Sequence, residues 1–168
     1  MEFKIIKSEH PMPDAEREAL LENPAFGVNF TDHQVIIEWT KDGGWQNARV
    51  EPYGPIMMDP SSAVLHYGQE IFEGMKAYRQ PDGSISLFRP TANAKRFANS
   101  AKRLALPEMP VELFMETVEA LVHQDAGWVP NKVGESLYIR PFMIATEVGL
   151  GVRPTNKATY ILIATPAG

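Results

Sequence analysis

The stretch Leu65-His66-Tyr67-Gly68-Gln69-Glu70-Ile71-Phe72-Glu73-Gly74-Met75-Lys76-Ala77-Tyr78-Arg79 crowds aromatic, charged and flexible positions together without an amphipathic helical pattern. Gly74 opens a short alternating run, and a glycine there lets the backbone turn sharply or come close to something where a side chain would intrude. Beyond it, Met75 to Arg79 and Ile85 to Arg89 flank Gln80-Pro81-Asp82-Gly83-Ser84, a loop whose proline and Asp-Gly suit a hairpin. Ile85, Leu87 and Arg89 then share one face of the second strand. Farther on, Leu137, Ile139 and Pro141 alternate with Tyr138, Arg140 and Phe142, as on a strand. These three stretches read as walls of one site.

Upstream, residues 10 to 27 mix Pro11, Pro13, Pro24 and Gly27 with an acidic segment from Asp14 that suits one or two helical turns on a surface arm. Val35-Ile36-Ile37-Glu38-Trp39 and Trp45 to Val50 flank Lys41-Asp42-Gly43-Gly44, an antiparallel hairpin. Asp59-Pro60 reads as an N-cap with proline at the first helical position of a short helix running toward Tyr67. Downstream, Thr91 suits the cap of a helix with Ala94, Phe97, Ala98, Ala101 and Leu104 on one face and Pro107 as its stop. Val111, Phe114, Met115, Val118, Leu121 and Val122 recur at helical spacing in the next, with Gly127 as C-cap. Thr159 to Ala164 has the composition of a buried strand. Hairpins and helices in blocks, without strand-helix-strand crossovers or a glycine-rich phosphate loop, favour an α+β fold: an antiparallel sheet of hairpins backed by helices in two layers.

The 168 residues, 44% of them hydrophobic, suffice for one domain with a real core. A net charge of -5 with scattered Lys and Arg disfavours a nucleic-acid or membrane-surface role. With no cysteine there is no disulfide framework and no thiolate nucleophile, in keeping with a cytoplasmic protein. His10, His33, His66 and His123 show no ligand spacing, so no metal is expected. No apolar run approaches the roughly 20 residues of a membrane helix. The start, Met1 to Lys7, carries charge within its apolar run and lacks the cleavage site of a signal peptide.

On the residues alone, Arg89 reads first as an edge arginine meeting solvent or a carboxylate, although a guanidinium at a rigid edge also suits bidentate contact with phosphate. Tyr138 and Arg140 share a face, where they make either a cross-strand packing pair or a pocket for both an aliphatic chain and a carboxylate. Phe26 beside Gly27 reads as core packing, and Gly149-Leu150-Gly151-Val152 as a flexible loop.

A resemblance alters these readings. Phe30-Thr31-Asp32-His33 with Glu38-Trp39, Leu65-His66-Tyr67 with Phe72-Glu73-Gly74, Leu87-Phe88-Arg89-Pro90, Leu137-Tyr138-Ile139-Arg140-Pro141 and Leu150-Gly151-Val152 together resemble the branched-chain amino acid aminotransferases, fold-type IV pyridoxal-phosphate enzymes. The likeness extends over nearly the whole chain. It implies that Arg89 binds the phosphate of pyridoxal 5'-phosphate and that Arg140 serves the side-chain carboxylate of glutamate. It also implies that Phe26, Phe72, Gly74 and Tyr138 shape an aliphatic pocket, while Tyr67 and Val152 reach the site of the other subunit of a homodimer.

The implied activity is amino-group transfer between leucine, isoleucine or valine and 2-oxoglutarate, with glutamate and the 2-oxo acids as partners. By the same resemblance, residues 1–168 match the N-terminal small domain, and the cofactor lysine belongs to a C-terminal domain absent from this chain. Lys76 is not that lysine, no catalytic residue is expected here, and the isolated chain is expected to be inactive. The alternatives are a D-amino acid aminotransferase or aminodeoxychorismate lyase of the same fold, against which Leu137-Tyr138-Ile139-Arg140 counts, and a free-standing binding domain.

Overall fold

A computed structural model describes residues 1–168. In chain order the elements are β1 (Lys4–Ile5), α1 (Asp14–Leu21), β2 (His33–Thr40), β3 (Gly44–Pro52), α2 (Ala63–Tyr67), β4 (Glu70–Phe72), β5 (Met75–Arg79), β6 (Ile85–Leu87), α3 (Pro90–Arg103), α4 (Val111–Gln124), a 3-10 turn (Ala126–Trp128), β7 (Ser136–Ala145) and β8 (Lys157–Ala167). The eight strands form one sheet in the order β1-β3-β2-β8-β7-β5-β6, with β4 also on β7. All pairings are antiparallel except β1 with β3. The expected α+β class and both hairpins are therefore present, and no helix is long and apolar enough to cross a membrane.

Strand alternation sorts the sheet into two faces. Val35 and Ile37 of β2, Leu137, Ile139 and Met143 of β7, and Tyr160 and Leu162 of β8 are buried and pack with α3 and α4. At the centre, Phe97 of α3 lies 5.4 Å from Phe114 of α4 and 5.7 Å from Tyr160, whose hydroxyl is 2.8 Å from Thr117 Oγ1. Burial drives the Tyr160 phenol far above its ordinary range. Truncating the fully buried Phe97 to alanine should cost about 3–5 kcal/mol. The opposite face carries Tyr138, Arg140 and Phe142 of β7, each only partly buried, and a small apolar cluster of Ile36, Ile144 and Ile161. One face is thus covered by helices, and the other is left for a site.

Several local expectations are corrected. Asp59 does not cap α2: its Oδ1 accepts from the backbone N–H (2.8 Å) and hydroxyl (2.7 Å) of Ser61, closing a turn, and the helix begins only at Ala63. Thr91 is not the cap of α3, because Pro90 already occupies the first helical position and Arg89 is the N-cap. Pro107 does not end that helix. Ala105, at φ 54°, turns the chain and lets Leu106 N–H bond Ala101 O at 2.9 Å. Gly127 lies inside the 3-10 turn after α4, where a Cβ would meet the Arg17 guanidinium, so it caps nothing. In the first hairpin, Asn47 at φ 54° marks a bulge, since the β2–β3 register shifts between Ile36 and Glu38.

Candidate active site

The Phe72–Gly74 and Tyr138–Arg140 stretches meet as expected. Strand β4 pairs with β7 at Phe72↔Phe142 and β5 at Met75↔Ile139, so the register is unchanged across the gap and Gly74 stands opposite Arg140. The ladder breaks there because Pro141 has no N–H to return the bond that Glu73 N–H gives to Pro141 O at 2.9 Å. Tyr138 leans diagonally across this gap onto Gly74. A Cβ on Gly74 would overlap the Tyr138 hydroxyl and come within 2.9 Å of Cζ, which is the close approach that the glycine permits.

Around that contact, Phe26 meets the Tyr138 ring edge-on with centroids 5.0 Å apart. Phe26 is held there by Thr165 of β8, the Cα partner of Tyr138, whose Oγ1 accepts from Gly27 N–H (3.2 Å) and donates to Asn29 O (2.6 Å). Arg140 donates from Nη2 to the Tyr138 hydroxyl at 2.9 Å, and its Cζ lies 4.4 Å from the Phe72 ring centroid and 5.4 Å from that of Tyr138. Its Nε is buried without a hydrogen-bond partner. Phe26, Phe72, Gly74, Tyr138 and Arg140 are one cluster, an apolar wall carrying one guanidinium. Phe26 and Phe72 remain 57% and 62% exposed, so the wall opens outward.

Arg89 is not on the strand face assigned to it. Strand β6 ends at Leu87, and Arg89 sits at φ 46°, ψ 49°, a left-handed conformation that costs a non-glycine residue about 1–3 kcal/mol. Pro90 is the physical reason: it disfavours a helical Arg89 and fixes the turn into α3. The side chain is exposed and forms no ion pair. One turn on, Asn93 Nδ2 donates to Gly74 O at 3.1 Å, so the Arg89 turn is tied to the pocket.

Tyr67 and Val152 stand apart from this cluster. The Tyr67 hydroxyl donates to Leu150 O, and Ser62 bridges Val148, so α2 and the 148–152 loop form one projecting unit beyond the end of β7. Leu65, Leu150 and Val152 are exposed there. Lys76 is exposed and lies opposite Tyr138 in the register. No group of His, Cys, Asp and Glu is placed to hold a metal. Sequence reasoning missed Thr165, Asn93 and Arg96; the only signal for the last two was their i, i+3 spacing on the helix after Arg89.

No family model matches the chain. Over 167 residues, 99% of the chain, it is 59% identical to a probable branched-chain-amino-acid aminotransferase of Streptomyces coelicolor, and over 169 residues 59% identical to the branched-chain-amino-acid aminotransferase of Mycolicibacterium smegmatis. The chain spans 46% of the length of each of these curated relatives. Among solved structures, the Escherichia coli branched-chain amino acid aminotransferase matches with TM-score 0.59 and 25% identity, over 79% of this chain and 40% of that one. A further solved branched-chain amino acid aminotransferase, complexed with N-(5'-phosphopyridoxyl)-L-glutamate, matches with TM-score 0.57 and 29% identity, over 77% of this chain and 39% of that one. The fold is therefore that of the N-terminal domain of fold-type IV aminotransferases. Within that class, the chain is related along its whole length to the branched-chain aminotransferases.

Proposed function

We propose that this chain is the part of a branched-chain amino acid aminotransferase that forms one wall of the pyridoxal-phosphate site, in a protein whose cofactor lysine lies in a further domain. The observation that carries the reading is Arg140, held on the Phe72 and Tyr138 rings with a buried, unpartnered Nε. An orphaned buried donor costs about 1–3 kcal/mol, and a carboxylate paired with this guanidinium would offset that cost. With no carboxylate present, stacking and the bond to the Tyr138 hydroxyl keep the guanidinium from facing apolar atoms bare. One pocket can then take leucine, isoleucine or valine in one half-reaction and glutamate in the other.

Phe26, Phe72 and Tyr138 supply the apolar lining, and Gly74 leaves the space in which Tyr138 lies. Pyridoxal phosphate, when bound, supplies the electron sink for moving the amino group. The chain fits its phosphate at Arg89, which is exposed, unpaired and set in a strained turn at the start of α3, with the positive end of the helix dipole behind it. The protruding Tyr67 and Val152 fit a homodimer in which each subunit completes the other's pocket. The test is an assay of the enzyme carrying this chain with L-leucine, D-alanine and 2-oxoglutarate. Glutamate formation with L-leucine is expected, and turnover of D-alanine without L-leucine would contradict the assignment.

A further inference from the structure

The projecting unit that carries Tyr67 and Val152 is built on a single residue. The chain leaves β7 at Ala145 and enters β8 at Lys157, and Glu147 stands near the start of that crossing. Its carbonyl accepts from the N–H of Ala63, the first residue of α2, at 3.0 Å. Beside it, Gly149 N–H donates to Ser61 O at 3.1 Å and Ser62 bridges Val148. Residues 147 to 149 thus seat the helix that ends in Tyr67.

The Glu147 side chain reaches the far end of the same crossing. Its Oε1 accepts from Arg153 Nε (3.1 Å) and Nη2 (2.7 Å), with a longer bond from Asn156 Nδ2 (3.4 Å), and its Oε2 accepts from Asn156 N–H (2.7 Å). Arg153 lies along the inside of the loop, where a Cβ on Gly151 would come within 2.9 Å of its Nη1. Gly149, at φ 138°, makes the bend that brings the chain around it. An isolated surface ion pair does little to fix a loop. Here the carboxylate is only 17% exposed, and it also accepts a backbone N–H, which sets where the chain turns back. Thr146 N–H to Lys157 O (3.1 Å) and Thr155 N–H to Ala105 O (3.3 Å) hold the feet of the loop and do not involve the carboxylate. The path from Leu150 to Arg153 is what the carboxylate braces. Val152, at its tip, is 81% exposed and so has little packing to hold it in place.

We propose that Glu147 is a positioning residue: its carbonyl seats α2 and its carboxylate braces the 149–153 loop, so that Tyr67 and Val152 are presented together to an aliphatic substrate chain. This rests on the reading, given above, that these two side chains complete the pocket of a second subunit. Glu147 itself touches neither substrate nor cofactor in this assignment.

The test has two arms. The first uses the 168-residue chain and depends on no activity: amide hydrogen exchange is followed at Asn156, bonded to the carboxylate, and at Gly149, bonded to Ser61 O, in the native chain, in Glu147→Gln and in Arg153→Met. Glu147→Gln is expected to speed exchange at both amides about tenfold while Leu121 in the core stays protected. Speeding at Asn156 alone, which has merely lost its acceptor, overturns the proposal. Arg153 is 52% exposed, so Arg153→Met guards against a variant that fails to fold. It is expected to speed Gly149 as well, and an unchanged Gly149 there overturns the proposal.

The second arm uses the enzyme carrying this chain. Glu147→Gln is expected to raise KM for leucine about tenfold, with kcat within about twofold and cofactor affinity unchanged, the pattern of a lost contact made equally in ground and transition states. An unchanged KM, or a parallel loss of kcat and cofactor affinity as general destabilisation gives, overturns the positioning role. Faster exchange in a parent enzyme without transaminase activity would instead overturn the reading of the site and uphold the brace.

Discussion

Gly74 and Arg89 are constrained in different ways, and substitution is expected to act differently at each. At Gly74 the constraint is space: Gly74→Ala drives a methyl into the Tyr138 hydroxyl, and the ring cannot retreat without leaving Phe26 and Arg140. A stability loss of about 1–3 kcal/mol by urea denaturation is expected, with a raised KM for leucine in the enzyme carrying this chain. At Arg89 the constraint is charge. On the proposed reading, Arg89→Ala removes one charge-assisted phosphate contact, worth about 1.5–3 kcal/mol or roughly 10- to 150-fold in cofactor affinity. Equal cofactor affinity in mutant and parent, read by titration, would remove Arg89 from the site. The close approach at Gly74 was legible in the sequence through a glycine interrupting an alternating run, whereas the phosphate role proposed for Arg89 rests on the motif around it. The left-handed turn was not legible, because strand alternation continues on paper through Phe88 to Arg89, and only Pro90 hints that it stops.

At the scale of elements, β4 and β5 are one line of strand along β7, divided where Pro141 faces it, and α3 is fastened across the division by Glu73. Burial pulls the Glu73 carboxyl upward, but hydrogen bonds from Arg96 and Asn93 and the charge of Arg96 outweigh it and hold the group below its usual 4.5. A carboxyl depressed in the folded chain binds fewer protons than in the unfolded one, so its contribution is complete above about 4.5 and is lost as the pH falls through the folded value. Urea stability of the chain should therefore fall on acidification below about pH 4.5, and the Glu73→Gln chain should show a shallower fall. Asp59, Asp82 and Glu147 are also depressed and act in the same direction, which makes the difference between the two chains the informative quantity. Parallel pH curves would mean that the Glu73 tie contributes nothing. The strands and helices were readable from apolar spacing, as at Val118, Leu121 and Val122 or at Leu137 and Ile139. Their ends were not, since Asp59, Thr91, Pro107 and Gly127 each carried capping chemistry on paper, while the helix ends fall at Ser62, Arg89, Leu104 and Asp125, the first two without a side-chain capping bond.

Over the whole molecule, the sheet is closed from the end of the chain: β8 enters between β2 and β7, bringing Thr165 beside Tyr138 and Tyr160 beneath the helices. No local pattern in Thr159 to Ala164 announces that placement, which is fixed only when the core face of every strand has found the same pair of helices. Because that core lies within these residues, the chain should fold alone, giving mixed α/β circular dichroism and cooperative unfolding, while forming no glutamate from leucine and 2-oxoglutarate with added pyridoxal phosphate. Enzyme-like turnover by the pure chain would place the catalytic machinery within these residues, against that expectation. Whether one pocket serves aliphatic and dicarboxylic partners by means of Arg140 is decided by single-turnover half-reactions of Arg140→Ala in the enzyme carrying this chain. Truncation leaves the second carboxylate of glutamate without a counter-ion in an apolar wall, a loss of about 2–5 kcal/mol, whereas leucine loses no such partner. The half-reaction with glutamate should be slowed by at least about thirtyfold more than the one with leucine; equal slowing of the two would contradict the shared pocket and leave Arg140 as a structural residue of β7.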